Sequence, residues 1–233
     1  MTTSEFMQEL DARIAKYDLL SHPFYQAWSK GELTKEDLRE YAQDYYPHVE
    51  AFPAYLAELA IRLNECELRR AVLANMCDEN GKNYVCGEEA RPHAELWQDF
   101  IEGMEGRVAF GHPAAPEITA LIQHFHRVAN EGTPEEALAA FYAYESQVPR
   151  VAAEKARGLR ELYGADEKTR AYFTLHATAD VYHSQVWRMQ LKKQVGSDNQ
   201  TAERALAAAE DAAQALWRAL DGIEARRMEK VAA

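Results

Sequence analysis

The run His176-Ala-Thr-Ala-Asp180-Val-Tyr-His183 sets two imidazoles and a carboxylate at positions i, i+4 and i+7. On an α-helix these positions fall within about 40° of one another, so the three side chains leave from one face. Imidazole nitrogen combined with carboxylate oxygen is a ligand set suited to first-row metals such as iron or manganese. Tyr172, Phe173, Val181 and Val186 give the segment apolar surface, where a charged group needs a partner. The competing reading of this motif alone is a polar outer face with incidental histidines. Glu145 is a further candidate, set among Leu138, Phe141, Tyr142, Tyr144 and Val148. A glutamate in such company is either paired with a cation or turned to solvent. Pro149, just beyond it, removes a backbone donor and kinks a helix, a disruption tolerated near sites. Asp78-Glu79 and His93 add carboxylates at one helix end and an imidazole in the first turn of another. Bundles that hold two metals assemble them from such pieces, with Glu and His supplied by several facing helices. Together Glu79, His93, Glu145, His176, Asp180 and His183 make three carboxylates and three histidines, enough for two metals. His124 and His126 lie on different faces of one amphipathic segment and His112 sits beside Pro113, so they stay outside the set. His48 and Glu50, near Pro47, are candidates to support it from behind.

Long stretches of helical period would have to carry these residues. Phe6, Leu10, Ile14 and Tyr17 make one stripe over residues 4–20. His22-Pro23 opens a short helix stopped at Gly31, and Thr34-Lys-Glu-Asp37 has the form of a capping box. The helix it starts is expected to run to about Leu63, interrupted at Pro47 and Pro53. Helices are further expected over 67–79, 92–104, 117–130, 134–163, 166–194 and 199–228, with loops over 80–91 and 106–116. Alternation never persists and β-branched residues are sparse, so no strand is expected. The reading is one all-α domain over 1–233, with seven to nine helices.

Composition narrows the function. Of 233 residues 47% are hydrophobic and 10% aromatic, enough to bury a core and to exclude bulk disorder. The 38 acids against 26 Lys and Arg give a net charge of -12, which repels nucleic acid and anionic membranes. Three cysteines, with no CxxC pair, point to a reduced setting rather than a disulfide framework. Acids come early at the N-terminus, with no apolar run behind a basic flank, and no 18-residue window escapes charge. A cytoplasmic protein without a membrane span is the expectation. The alanine-rich run at 203–215 offers a face on which a second copy could pack, as a homodimer.

Four segments occur in order: His-Pro-Phe-Tyr25-Gln-Ala-Trp28-Ser-Lys-Gly-Glu-Leu-Thr, Tyr41-Ala-Gln-Asp-Tyr45-Tyr46-Pro-His-Val-Glu-Ala-Phe-Pro, Tyr144-Glu145-Ser-Gln-Val-Pro-Arg150, and the H-x3-D-x2-H helix. Together they resemble the CADD-type proteins, named for a chlamydial protein associating with death domains, within the heme-oxygenase-like di-metal oxidases. The similarity runs from about residue 5 to 195. The resemblance implies a heme-oxygenase-like bundle that binds no heme. It implies two non-heme metal ions (Fe/Fe or Fe/Mn) held by Glu79, His93, Glu145, His176, Asp180 and His183, with O2 and an external reductant. It further implies formation of 4-aminobenzoate, a folate precursor, from the protein's own tyrosine. The sacrificed tyrosine falls on Tyr25 and the lysine nitrogen donor on Lys155, while Tyr41 and Tyr144 match family tyrosines that face the site. From the residues alone, Tyr25 reads as a packing aromatic beside Trp28 and Lys155 as a solvated charge. One departure stands out. A longer loop separates Glu79 from His93, and Glu88 or Glu89 within it could take the role of Glu79.

Other functions stay open at this stage. A related di-metal oxidase could act on a free small molecule. A cofactor-less oxidase of quinone-cofactor synthesis shares the fold but needs no metal ligands. A thiaminase of the same fold would need a nucleophile, and all three cysteines precede residue 90. A helical interaction module would use the metal as a staple only.

Overall fold

The computed structural model describes residues 1–81, 90–108, 115–195 and 198–232. Ten helical segments follow in order: α1 Thr3–Ala15, α2 Pro23–Lys30, α3 Lys35–Arg62, α4 Glu67–Glu79, α5 His93–Gly103, α6 Pro116–Glu131, α7 Pro134–Glu145, α8 Val148–Glu161, α9 Glu167–Gln194 and α10 Asn199–Val231. A 3-10 turn at Leu19–Ser21 joins α1 to α2, and no strand occurs among the described residues. The expected helix over 4–20 therefore stops at Ala15, because Asp18 caps the 3-10 turn instead of continuing the helix. Between α7 and α8, Ser146 and Gln147 keep right-handed helical torsions, so the two are arms of one helix kinked just before Pro149. Counted that way, the described residues form nine helices.

Capping sets the boundaries where the sequence signals them. Thr34 Oγ1 accepts from the Asp37 N–H at 3.1 Å while the Asp37 carboxylate accepts from the Thr34 N–H at 2.7 Å. Thr133 and Glu136 repeat this arrangement at the start of α7. The expected interruption of α3 at its prolines does not occur, and the helix runs through both Pro47 and Pro53. Each internal proline costs about 3 kcal/mol. The helix meets that cost by burying Tyr41, Tyr45, Phe52, Tyr55 and Leu56, each contributing about 1.5–3 kcal/mol.

Helix α9 lies at the centre of the packing, touching α4, α5, α7 and α8, while α3 covers α4, α5 and α6. The alanine-rich face of α10 packs on α7, α6 and α1 of the same chain, with Ala205, Ala209, Ala212 and Ala213 fully buried. That stripe is filled from within the chain. No helix among the described residues is long and apolar enough to cross a membrane.

Candidate active site

Two polar clusters sit inside the bundle. The first joins four elements: Glu79 is the last residue of α4, His93 the first of α5, Glu145 the last of the α7 arm, and His176, Asp180 and His183 lie along α9. All six are buried, with exposures of 1–6%. Their ligand atoms fall into two groups, each within 4.8 Å: Glu79 with His93 and His176, and Glu79 with Glu145, Asp180 and His183. Glu79 belongs to both. The structure thus brings together all six residues singled out from the sequence.

Gly81 explains how the long loop leaves this geometry intact. It sits at φ +70°, and its carbonyl accepts from the Ala90 N–H at 3.0 Å, closing the insertion at its base. A Cβ there would lie 2.3 Å from the Ala90 carbonyl oxygen, so only glycine fits. Glu79 Oε2 and His93 Nδ1 then meet at 2.8 Å, though too far out of line for a hydrogen bond. Glu88 and Glu89, the alternatives, lie outside the described residues.

The imidazoles are oriented by their second nitrogens. His176 Nδ1–H donates to the Tyr172 carbonyl at 2.7 Å, and a carbonyl can only accept, so Nε2 keeps its lone pair. Tyr172 also stacks on the His176 ring at 3.9 Å. His183 Nε2 lies 3.2 Å from Asp78 Oδ2, and its Nδ1 lies 3.2 Å from Asp180 Oδ1. A histidine pinned by an outer carboxylate is the usual support of a metal-binding imidazole.

Burial and mutual contact shift the groups of this cluster in different directions. Burial pushes the Glu145 carboxyl well above the usual carboxylate range, with Asp180 and Glu79 adding to the effect. Burial also works against Glu79, but His93, His176 and His183 outweigh it and hold the carboxyl down to about 2. Burial lowers His183 less than Asp180, Asp78 and Glu145 raise it, and its imidazole is pushed up to about 11. Glu79 moreover stands at the C-terminus of α4, where the macrodipole disfavours an anion. Asn75 Oδ1 and His93 Nδ1 are buried with no hydrogen-bond partner among the described residues. Three carboxylates and three imidazoles in these two groups, with Glu79, Glu145, His176 and Asp180 lining a cavity of about 10 Å³, fit first-row metal ions.

The second cluster is built from a lysine and two phenols. Lys155 Nζ donates to Tyr25 Oη at 2.8 Å and to Tyr41 Oη, and the two phenols lie 3.0 Å apart. Lys155 is only 5% exposed, so the solvated reading is wrong for it. Burial drives its amine well below the ordinary lysine value. Gly158 permits the approach of α8 to α2: a Cβ there would lie 2.8 Å from Trp28 Nε1. Beside Lys155 is a cavity of about 30 Å³, lined by Tyr25, Tyr45, Tyr144, Tyr172 and Val148 among others. Tyr144 and Tyr172 also line the carboxylate cavity, so they form the wall between the clusters.

Several contributors escape a reading of the sequence. Asn75 lies one turn before Glu79, Tyr172 one turn before His176 and Trp187 one turn after His183, so the i±4 spacing was the available signal. His48 is fully buried, its ring centroid 5.2 Å from that of Tyr144 in an edge-on contact, whereas Glu50 faces solvent and accepts from Tyr46.

The family model for iron-containing redox enzymes matches residues 39–217. The chain is 37% identical to 4-aminobenzoate synthase of Chlamydia trachomatis serovar D over 93% of its length and 90% of that protein. It is 37% identical to 4-aminobenzoate synthase of Nitrosomonas europaea over 96% of its length and 92% of that protein. Among solved structures, a domain with a heme oxygenase-like fold from Shewanella denitrificans superposes at a TM-score of 0.79, with 15% identity, covering 98% of this chain and 94% of that one. A CADD-like protein from Nostoc punctiforme superposes at 0.73 with 15% identity, covering 95% and 98%. These likenesses show a heme-oxygenase-like fold, and the chain belongs to the family of iron-containing redox enzymes, as an oxidoreductase that uses metal.

Proposed function

We propose that this protein is a 4-aminobenzoate synthase that consumes its own Tyr25 and takes its nitrogen from Lys155. The observation that carries this reading is the buried Lys155 Nζ, its pKa driven down by desolvation, 2.8 Å from the phenol oxygen of Tyr25. The amine thus stands beside the phenol oxygen, whose ring carbon is the position where 4-aminobenzoate bears its nitrogen, opposite the Cβ carbon that would become the carboxyl group. The names of the relatives support the product, and the cavity supports the internal source. At about 30 Å³ it holds a water-sized molecule. An apolar cavity that admits a free benzene ring is roughly 150 Å³.

Glu79, His93 and His176 would hold one metal, and Glu145, Asp180 and His183 the other, with Glu79 shared between them. Two bound ions, Fe/Fe or Fe/Mn, would couple reduction of O2 by an external reductant to oxidation of the tyrosine. The chain's own part is positional. Tyr41 shares the Lys155 amine and keeps Tyr25 in place. Tyr144 and Tyr172 separate the lysine from the carboxylates, and Val148, Val151 and Phe173 give the cavity beside the amine an apolar lining that disfavours its charged form.

Protein carrying 15N-lysine, treated with Fe(II), reductant and O2, should release 15N-labelled 4-aminobenzoate. A matching mass loss should map to the peptide containing Tyr25. Unlabelled product, or full yield from Tyr25→Phe, would overturn the reading.

A further inference from the structure

Glu145 is held by two neutral donors from two different helices. Asn75 Nδ2 donates to its Oε1 at 2.9 Å, and the Trp187 indole N–H donates to its Oε2. Trp187 is fully buried and Asn75 is 4% exposed, so water supplies neither bond. An arginine or lysine here would neutralise the carboxylate and compete with a cation. An indole and an amide leave the charge in place and fix only its direction. The spacing ties each donor to a ligand, since Asn75 precedes Glu79 by one turn on α4 and Trp187 follows His183 by one turn on α9. The indole is itself fixed by Phe141, one turn before Glu145, at a ring separation of 6.1 Å.

We propose that Trp187 and Asn75 are positioning residues that clamp the Glu145 carboxylate and thereby set the affinity of the metal position built with Asp180 and His183. The position built by Glu79, His93 and His176 does not depend on the clamp. The proposal rests on the assignment of Glu145 as a ligand, and not on the identity of the product.

The test is anaerobic titration of metal-free protein with Mn(II) or Fe(II) alone, following stoichiometry and the affinity of each position. Trp187→Phe keeps an aromatic ring and removes the N–H. Loss of a hydrogen bond to a metal ligand costs roughly 10- to 100-fold in metal affinity, so one of two ions should weaken by that factor while the other binds as before. Asn75→Leu, close in volume and unable to donate, should weaken the same ion, and it carries the test should Trp187→Phe fail to fold. In Fe(II)-loaded protein, Mössbauer spectra of both variants should lose or shift one iron environment and keep the other, an effect that mere loss of packing would not confine to one ion. Two ions bound with unchanged affinities in both variants, while Glu145→Ala loses one, would overturn the clamp. Equal weakening of both ions in a folded variant would overturn its selectivity. Unchanged binding in Glu145→Ala would overturn the ligand assignment and the proposal with it, leaving the 4-aminobenzoate reading to its own test.

Discussion

The two buried clusters lie on either side of Tyr144 and Tyr172, equally removed from water, yet burial has opposite consequences in them. Around Glu79, Glu145 and Asp180 the carboxylates and imidazoles sit close enough to hold one another's charges, and the arrangement calls for cations. Around Lys155 the described neighbours are phenols and apolar side chains, with no carboxylate to hold a positive charge, so burial drives the amine well below the ordinary lysine value. Desolvation disfavours every charged form, and only a partner reverses it. One cluster is therefore suited to binding metal and the other to nucleophilic nitrogen, and the tyrosine wall keeps the lysine from pairing with the acids.

The metal cluster depends most on Glu79, which belongs to both ligand groups. Glu79→Ala should cost more metal affinity than the roughly 10- to 100-fold typical of a supporting residue, and both ions should weaken. Glu89→Ala should leave metal content at the wild-type level. Elemental analysis after dialysis reads both variants, and metal loss in Glu89→Ala would move the ligand into the loop.

The second cluster can be removed while the first is kept. Lys155→Met should bind two metals and consume reductant and O2, yet release no 4-aminobenzoate. Metal loss in this variant would mean that the tyrosine wall does not insulate the two regions. Tyr25→Phe should be milder for the fold, since it removes one hydroxyl shared by Lys155 and Tyr41, at about 1 kcal/mol. Its melting point should fall by a few degrees with metal content unchanged, while product formation stops.

How far the sequence foretold these regions follows from the kind of signal each gives. The α9 trio was legible because i, i+4, i+7 spacing puts ligands on one face whatever the tertiary fold. The shared place of Glu79 and its approach to His93 were not, because the Gly81–Ala90 closure that sets it is a backbone contact across an insertion. Lys155 was legible only through resemblance. Its helix is rich in Arg and Glu, and the clue that Val148, Val151, Ala152, Lys155 and Leu159 form one stripe is weaker than the usual preference of lysine for solvent. The prolines of α3 misled because propensity is local, whereas the aromatic side chains that offset them pack on other helices.

The contrast in charge can also be read directly, as a graded change of stability with pH. In metal-free protein Lys155 has a folded pKa below its unfolded value of about 10.4, so between the two the unfolded chain binds the extra proton. Stability contributed by this group rises with pH across that window, by at most about 1.4 kcal/mol per pH unit, and is constant above it. His183 runs the other way. Its folded value is pushed up to about 11, so its contribution is complete below the unfolded value of about 6.5 and is lost as pH rises toward 11. Urea unfolding of metal-free wild type, Lys155→Met and His183→Gln at intervals from pH 7 to 10 separates the two. The stability of Lys155→Met relative to wild type should fall with rising pH, and that of His183→Gln should rise. Slopes of the same sign would show that the amine and the imidazole share one electrostatic environment, and the division between the clusters would not hold.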